Sequence, residues 1–483
     1  MKLSKKHMWV LVALLVFAVI VALPLPAALT PQGQVALAVM VMAVTLWVSE
    51  AVPYIVSSIM IVGIGAVAMG LSPTSDGLYG TKQALREFLA GLATPSLALV
   101  AGGLFIAVAM EETGLHKRLA FMILDRIGTK PRDLVLGLIL VSAAMALFVP
   151  SATARSGALI PVVTGMIAAL QPKKGSKLEA LLLIVTVLSI SIWCFGIKTS
   201  AAQNQVALSF ISASYGVEIS WLQWLIYGGP LALLVSVALY FIAPLLLPVD
   251  ASEYRSDPAL MRSELEALGP VTVREKKLIV YSLALLGLWA TEKLIHPIDS
   301  TTVTLFIFML MLLPKIGIMD WQAVETGTSW GTLLTFAIGI SLGTILLNTG
   351  AASWLSEQTL GAMGVESLSP LVVTLLLSVV SVLIHLGFAS ATSLASVFIP
   401  IVIGVVELMP ISATTAIGII IIQAFVVSFG FILPVNTPQN MLAFATGGFT
   451  ARDLLKIGLP LTLIALAIIG VLAGSYWQWV GLL

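Results

Sequence analysis

Two polar breaks built on Ser-Ala-Thr interrupt the apolar runs of this 483-residue chain: Phe148-Val149-Pro150-Ser151-Ala152-Thr153 and His385-Leu386-Gly387-Phe388-Ala389-Ser390-Ala391-Thr392. Pro150 removes a backbone donor and disfavours helix before it, so each break reads as the tip of a re-entrant hairpin. Serine and threonine hydroxyls both donate and accept hydrogen bonds. An irregular tip also exposes helix-start amides, which favour anions, and carbonyls, which favour cations. Irregular backbone at membrane depth survives only where protein buries it or where it lines a wet cavity. The chemistry expected of such residues is the binding of a small ion or charged metabolite.

Two later breaks complement the tips: Gly196-Ile197-Lys198-Thr199-Ser200-Ala201-Ala202-Gln203-Asn204 and Pro434-Val435-Asn436-Thr437-Pro438-Gln439-Asn440. Asn436, Thr437, Gln439 and Asn440 would be an expensive cluster against lipid, so both stretches are expected to be unwound and functional. Arg155 lies just past the first tip and Lys198 in the facing break. The nearby apolar runs offer almost no Asp or Glu to pair with either. An ionisable group inside a membrane span is a functional residue by default, so the missing negative charge is expected to be the cargo. The rival reading is that Arg155 snorkels from a shallow hairpin and Lys198 ends a helix. His385 reads as a structural histidine bonded to a carbonyl. Glu50 and Glu111-Glu112 read as interface markers.

Recurrences show how the chain is built. Thr113-Gly114 and Thr349-Gly350 differ by 349 − 113 = 236, the tip serines by 390 − 151 = 239, and the Gln-Asn pairs by 439 − 203 = 236. Pro161 and Pro400 each follow a tip serine by ten residues. The chain is therefore two related halves, and paired breaks at matching places point to a transport site at the midplane.

Hydrophobic residues make up 59% and charged residues 10% of the chain, against about 25% charged in soluble domains, and mean hydropathy is +1.08. Apolar runs of membrane-spanning length recur from end to end, which predicts an all-α membrane protein with about eleven crossings. The first run follows Lys2, Lys5 and Lys6 and reads as a retained helix with a cytoplasmic N-terminus. The expected divisions are 1–92, N-terminal scaffold helices; 93–249, a first repeat with its tip at 151–153; 250–277, a hydrophilic cytoplasmic linker; and 278–483, a second repeat with its tip at 390–392. The linker carries Asp257, Pro258 and Pro270 and ends in Arg274, Glu275, Lys276 and Lys277. Lys173, Lys174 and Lys177 place the base of the first hairpin on the same side. The stretch from His116 to Asp133 reads as an amphipathic interfacial helix, and Tyr476, Trp477 and Trp479 suit an interfacial belt. The net charge of +1 says nothing about a nucleic-acid partner, but basic patches are too sparse for one. The single Cys194 excludes an internal disulfide.

At these residues the chain resembles the divalent anion–sodium symporter family, which includes di- and tricarboxylate and sulfate carriers. The resemblance rests on the two Ser-x-Thr tips, the paired later breaks and Thr113-Gly114-Leu115-His116-Lys117-Arg118. It extends to Leu29 to Pro53, with Trp47-Val48-Ser49-Glu50-Ala51-Val52-Pro53, and to Ile219-Ser220-Trp221-Leu222-Gln223-Trp224. It implies a homodimer of scaffold and transport parts, built from inverted repeats and working by an elevator movement. Carried over by position, Ser151, Thr153, Ser390, Thr392, Thr437 and Pro438 would contact substrate. Ser151, Ala152, Ser200, Ala391 and Asn436 would contribute backbone or side chains to sodium sites. The family's tips usually read Ser-Asn-Thr, whereas both asparagines are alanines here, Ala152 and Ala391. A basic residue at Arg155 resembles the family's exchanger branches, and its guanidinium could stand in for a bound cation.

The expected function is thus secondary transport of a dicarboxylate-like divalent anion, with Arg155 linked to the cargo and Lys198 to the charge site. Exchange of one anion for another is expected, in a bacterial inner (plasma) membrane and without a cofactor. Sodium-coupled symport, with sodium as the co-transported metal, is the alternative, and an anion channel a remote one. No enzyme is expected, because His-Glu-x-x-His and paired intramembrane aspartates are missing. The Gly-x-x-x-x-Gly-Lys-Ser/Thr loop of a pump is missing as well.

Overall fold

The structure is a computed structural model that describes residues 5–255, 259–359, 361 and 364–483. Lys2, Asp257 and Pro258 lie outside the described residues. Nine described helices are long and apolar enough to cross a membrane. Two of these, Pro131–Phe148 and Ala152–Leu170, instead pair as the arms of a hairpin. Both of its outer ends are tied to the linker: Tyr254 Oη donates to Thr129 O at 2.7 Å, and Arg255 N to Leu170 O at 2.7 Å. The second hairpin pairs Pro370–His385 with Ala391–Glu407. Its base lies at the opposite face, where Ser353 donates to Glu407 at 3.1 Å. The hairpins therefore enter from opposite sides, as inverted repeats require.

The helices follow one another in two matching series. The first begins at Pro31–Ser49 and ends at Trp221–Leu246; the second begins at Val273–Thr291 and ends at Ala451–Ala473. Each series has a helix that closes on glycine. Pro95–Thr113 stops at Gly114 with φ 70°, and Trp330–Asn348 is followed by Gly350 with φ 71°. A left-handed residue there ends a helix without the steric cost a Cβ would bring, which explains the repeated Thr-Gly mark.

The linker is docked rather than loose. Arg118, on the interfacial helix Leu115–Ile127, is buried against Glu275 at 2.6 Å and donates to Gly269 O and Leu268 O. Lys177 reaches Asp453 at 3.1 Å on the same face. These contacts fix the membrane-face geometry around the base of the first hairpin.

Candidate functional site

Four helices start around one point. Ser151 caps Ala152–Leu170 and accepts from Ala154 N at 3.2 Å; Ser390 caps Ala391–Glu407 and accepts from Ser393 N at 3.2 Å. The later breaks supply the other two starts. Ala202–Tyr215 begins after Ala201, and Pro438–Phe444 after Thr437, whose hydroxyl accepts from Asn440 N at 3.3 Å. All four capping residues are extended, with φ between −137° and −153°, so each chain arrives straight and turns into helix at the same depth. Helix starts carry unsatisfied amides and partial positive charge. Together they enclose a cavity of about 170 Å³.

Ser151, Ala152, Thr153, Ser390, Ala391, Thr392, Thr437 and Pro438 all line this cavity, and no charged side chain does so among the described residues. Gln203 and Gln439, which the sequence places in the polar breaks but not among the candidate substrate contacts, line it too. Tyr54, Thr332 and Thr335 complete it from helices outside the repeated breaks. Tyr54 and Thr332 sit near the starts of Tyr54–Gly70 and Trp330–Asn348.

Arg155 stands behind the first tip, fully buried and outside the cavity lining. Its Nη1 donates to Val149 O at 2.8 Å and Ser200 O at 3.0 Å; its Nη2 donates to Ile190 O at 3.3 Å and meets Cys194 Sγ at 3.1 Å. A guanidinium presents a rigid fork of donors, and here it gathers carbonyls from the tip, the break and the preceding helix. Ser200 lies beside it, its hydroxyl, with one hydrogen to donate, within 2.7–2.9 Å of three carbonyls, Trp193 O, Cys194 O and Ile197 O. In the other half, Asn436 Nδ2 donates to His385 O at 2.6 Å, and the His385 ring meets Asn436 O at 3.2 Å. His385 is thus held by a carbonyl, as its sequence context predicts. Gly430 allows that approach, since a Cβ there would lie 2.3 Å from Thr437 Cγ2 and 3.2 Å from the His385 ring.

Lys198 belongs to a different space. It is 8% exposed and lines a second cavity of about 690 Å³ on the opposite face. Glu292, Asp299 and Glu218 line the same cavity, although no described carboxylate lies within ion-pairing distance of Lys198. The apparent lack of acidic neighbours therefore holds for Arg155 but not for Lys198.

The two later breaks are held open by equivalent amides. Asn204 Nδ2 donates to Cys194 O at 2.7 Å and Ile197 O at 3.1 Å; Asn440 Nδ2 donates to Gly430 O at 2.8 Å and Leu433 O at 3.2 Å. Each acceptor in the second half is 236 residues beyond its counterpart (430 − 194 and 433 − 197). The halves also clasp each other: Gln203 Nε2 donates to Ser428 Oγ, and Gln439 Nε2 to Ser191 Oγ, both at 3.0 Å. A Gly327-Thr328-Ser329-Trp330-Gly331 string matches the Gly-x-Ser-x-Gly pattern, but Ser329 only shares a hydrogen bond with Thr332 at a helix start, with no histidine partner among the described residues. It offers no nucleophile elbow.

A family model described as the sodium:sulfate symporter transmembrane region matches residues 4–483. A "membrane protein" of Cupriavidus necator is 42% identical, covering 98% of this chain and 93% of that one. The citrate/succinate antiporter of Escherichia coli K12 is 26% identical, covering 95% of each. The sodium-dependent dicarboxylate transporter SdcS of Staphylococcus saprophyticus is 25% identical, covering 94% of this chain and 88% of its own. Among solved structures, the YdaH transporter of Alcanivorax borkumensis aligns with a TM-score of 0.58 at 15% identity, over 88% of this chain and 98% of that one, a likeness of fold.

Proposed function

The chain belongs to the sodium:sulfate symporter family, and on that premise we propose that it exchanges one dicarboxylate-type anion for another across the membrane. The observation that carries this is the charge arrangement at the tips. Four helix starts and a ring of hydroxyls surround a cavity that has no carboxylate among the described residues, and a guanidinium with no acidic partner among them is sealed directly behind it. Such a site is incomplete until an anion enters. Ser151, Thr153, Ser390, Thr392 and Thr437 would hold the carboxylates, with the Pro438 ring against the carbon chain.

Exchange follows from the cost of moving the empty site. An uncompensated charge at the bilayer centre costs at least ~2.5–3.5 kcal/mol, which slows the empty carrier by about 70- to 400-fold. A bound anion offsets it. Sodium symport has one observation in its favour: the Oδ1 atoms of Asn204 and Asn440, one in each half, are buried and accept nothing. Against it, Arg155 already occupies the carbonyls of Val149, Ile190 and Ser200, and Ala152 and Ala391 bring no amide oxygen. The hairpins and interrupted helices would form the moving part of an elevator within a homodimer. Lys173, Lys174, Lys177, Arg274, Lys276 and Lys277 favour a cytoplasmic linker face in a plasma membrane.

In proteoliposomes, uptake of labelled succinate is expected to need internal succinate, falling at least ~50-fold without it, and to ignore a sodium gradient. Uptake that requires the gradient and no internal anion would reverse the choice.

A further inference from the structure

We propose that a groove between the first two helices binds an anionic phospholipid from the leaflet at the linker face. This stands apart from the transport reading and needs only that the chain spans a membrane. Lys5–Ala22 packs against Pro31–Ser49 and is otherwise bare: only Ala13 of its 18 residues is buried. Pro31–Ser49 begins at the face where the second hairpin has its base. Thr30 Oγ1 there donates to Thr349 O at 3.2 Å, just before Ala351–Thr359, the helix that carries Ser353. The 19 residues that follow rise about 28 Å, enough to cross to the linker face. Gln34 Nε2 donates to Ile20 O at 2.9 Å and Leu23 O at 2.8 Å. The first helix therefore runs antiparallel to the second, and Lys5 and Lys6 come to rest beside Ser49 at the linker face.

The groove holds about 700 Å³ and is built from stripes at helical spacing. Lys5 and Trp9 form one, with Lys6 beside them; Val44 and Val48 form the apolar wall opposite. Its polarity changes with depth. The lysines lie at the mouth, while Trp9 is about 6 Å inward of Lys5 and Val44 about 8 Å inward of Ser49 along their helices. Trp9 and Val48 are exposed, so the groove opens sideways to lipid. Among the described residues neither lysine has a hydrogen-bond or ion-pair partner. Glu50, which follows the second helix, does not line the groove. Thr45 and Ser49 do line it, but their hydroxyls donate to Val41 O and Leu46 O of their own helix. The two ammonium groups therefore supply the donors for an incoming phosphate. A charged mouth above an apolar wall fits one phospholipid, with its phosphate on the lysines and an acyl chain along Trp9, Val48 and Val44. A free phosphate would leave the wall unused, and a zwitterionic lipid brings an ammonium of its own.

The test is native mass spectrometry of the full-length protein in detergent, which gives the affinity of the first bound lipid. Dioleoylphosphatidylglycerol is expected to bind roughly 25-fold tighter than dioleoylphosphatidylcholine, from two lysines at about 5-fold each. Lys5→Gln and Lys6→Gln should each lose about 5-fold for the anionic lipid and leave the zwitterionic one unchanged. Val48→Trp keeps both charges but fills the groove, and should remove the preference. Lys174→Gln, at the base of the first hairpin on the same face, should change nothing. Equal affinity of the wild type for the two lipids overturns the inference. So does a loss in Lys174→Gln equal to that in Lys5→Gln, which would mean attraction to the whole basic face. Full preference in Val48→Trp would show that the groove holds nothing. Inorganic phosphate that displaces the lipid at matched concentration would reassign the lysines to a free anion.

Discussion

Arg155→Ala is expected to reduce anion exchange at least ~100-fold and to destabilise the protein by ~3–5 kcal/mol. The guanidinium joins Val149 O, Ser200 O and Ile190 O, which belong to three separate stretches of chain. Its removal leaves those carbonyls buried, and each orphaned polar group costs about 1–3 kcal/mol. It also deletes the fixed positive charge behind the first tip, so the functional loss should exceed the loss in folded protein. Arg155→Lys keeps the charge but offers a compact ammonium instead of a planar fork, and should retain roughly a tenth of the activity. Counterflow in proteoliposomes, paired with thermal unfolding of the same preparations, separates the two effects. Near-normal exchange by the alanine variant would reduce Arg155 to a packing residue.

Asn204→Leu and Asn440→Leu are expected to cost ~2–4 kcal/mol each, because each loses donors to two or more buried carbonyls in an unwound segment. The bonds match across the halves, so the two losses should agree within about 1 kcal/mol of each other. Transport should fail in both variants, since the helix starts at Ala202 and Pro438 depend on the segments these amides hold. Denaturation midpoints of the pair provide the check. A large loss on one side with none on the other would mean the halves do not share one architecture.

Much of this was legible in the residues because duplication amplifies weak signals. A lone Ser-Ala-Thr is ordinary, but two with a proline ten residues on specify two hairpins, and both tips do line one cavity. What escaped was contact between distant segments. Glu292 and Asp299 share a cavity with Lys198 from about a hundred residues away, so the lysine looked solitary in its own neighbourhood. Tyr54, Thr332 and Thr335 come from helices whose patterns carry no polar break. Arg155 was recognisable as a buried charge, but its direction was not. One turn past its cap, the side chain runs behind the tip and into the carbonyls of the facing break, a choice made by tertiary packing.

The pseudo-two-fold arrangement of the tips and breaks has a stereochemical consequence. A chamber made of two like halves of L-residues possesses handedness but no mirror plane. A diacid whose two halves are related by rotation can present the same group to both halves of the chamber at once. Its meso isomer, whose halves are mirror images, can satisfy only one. Discrimination between isomers of equal mass, charge and polarity thus follows from the doubling of a single ancestral fold.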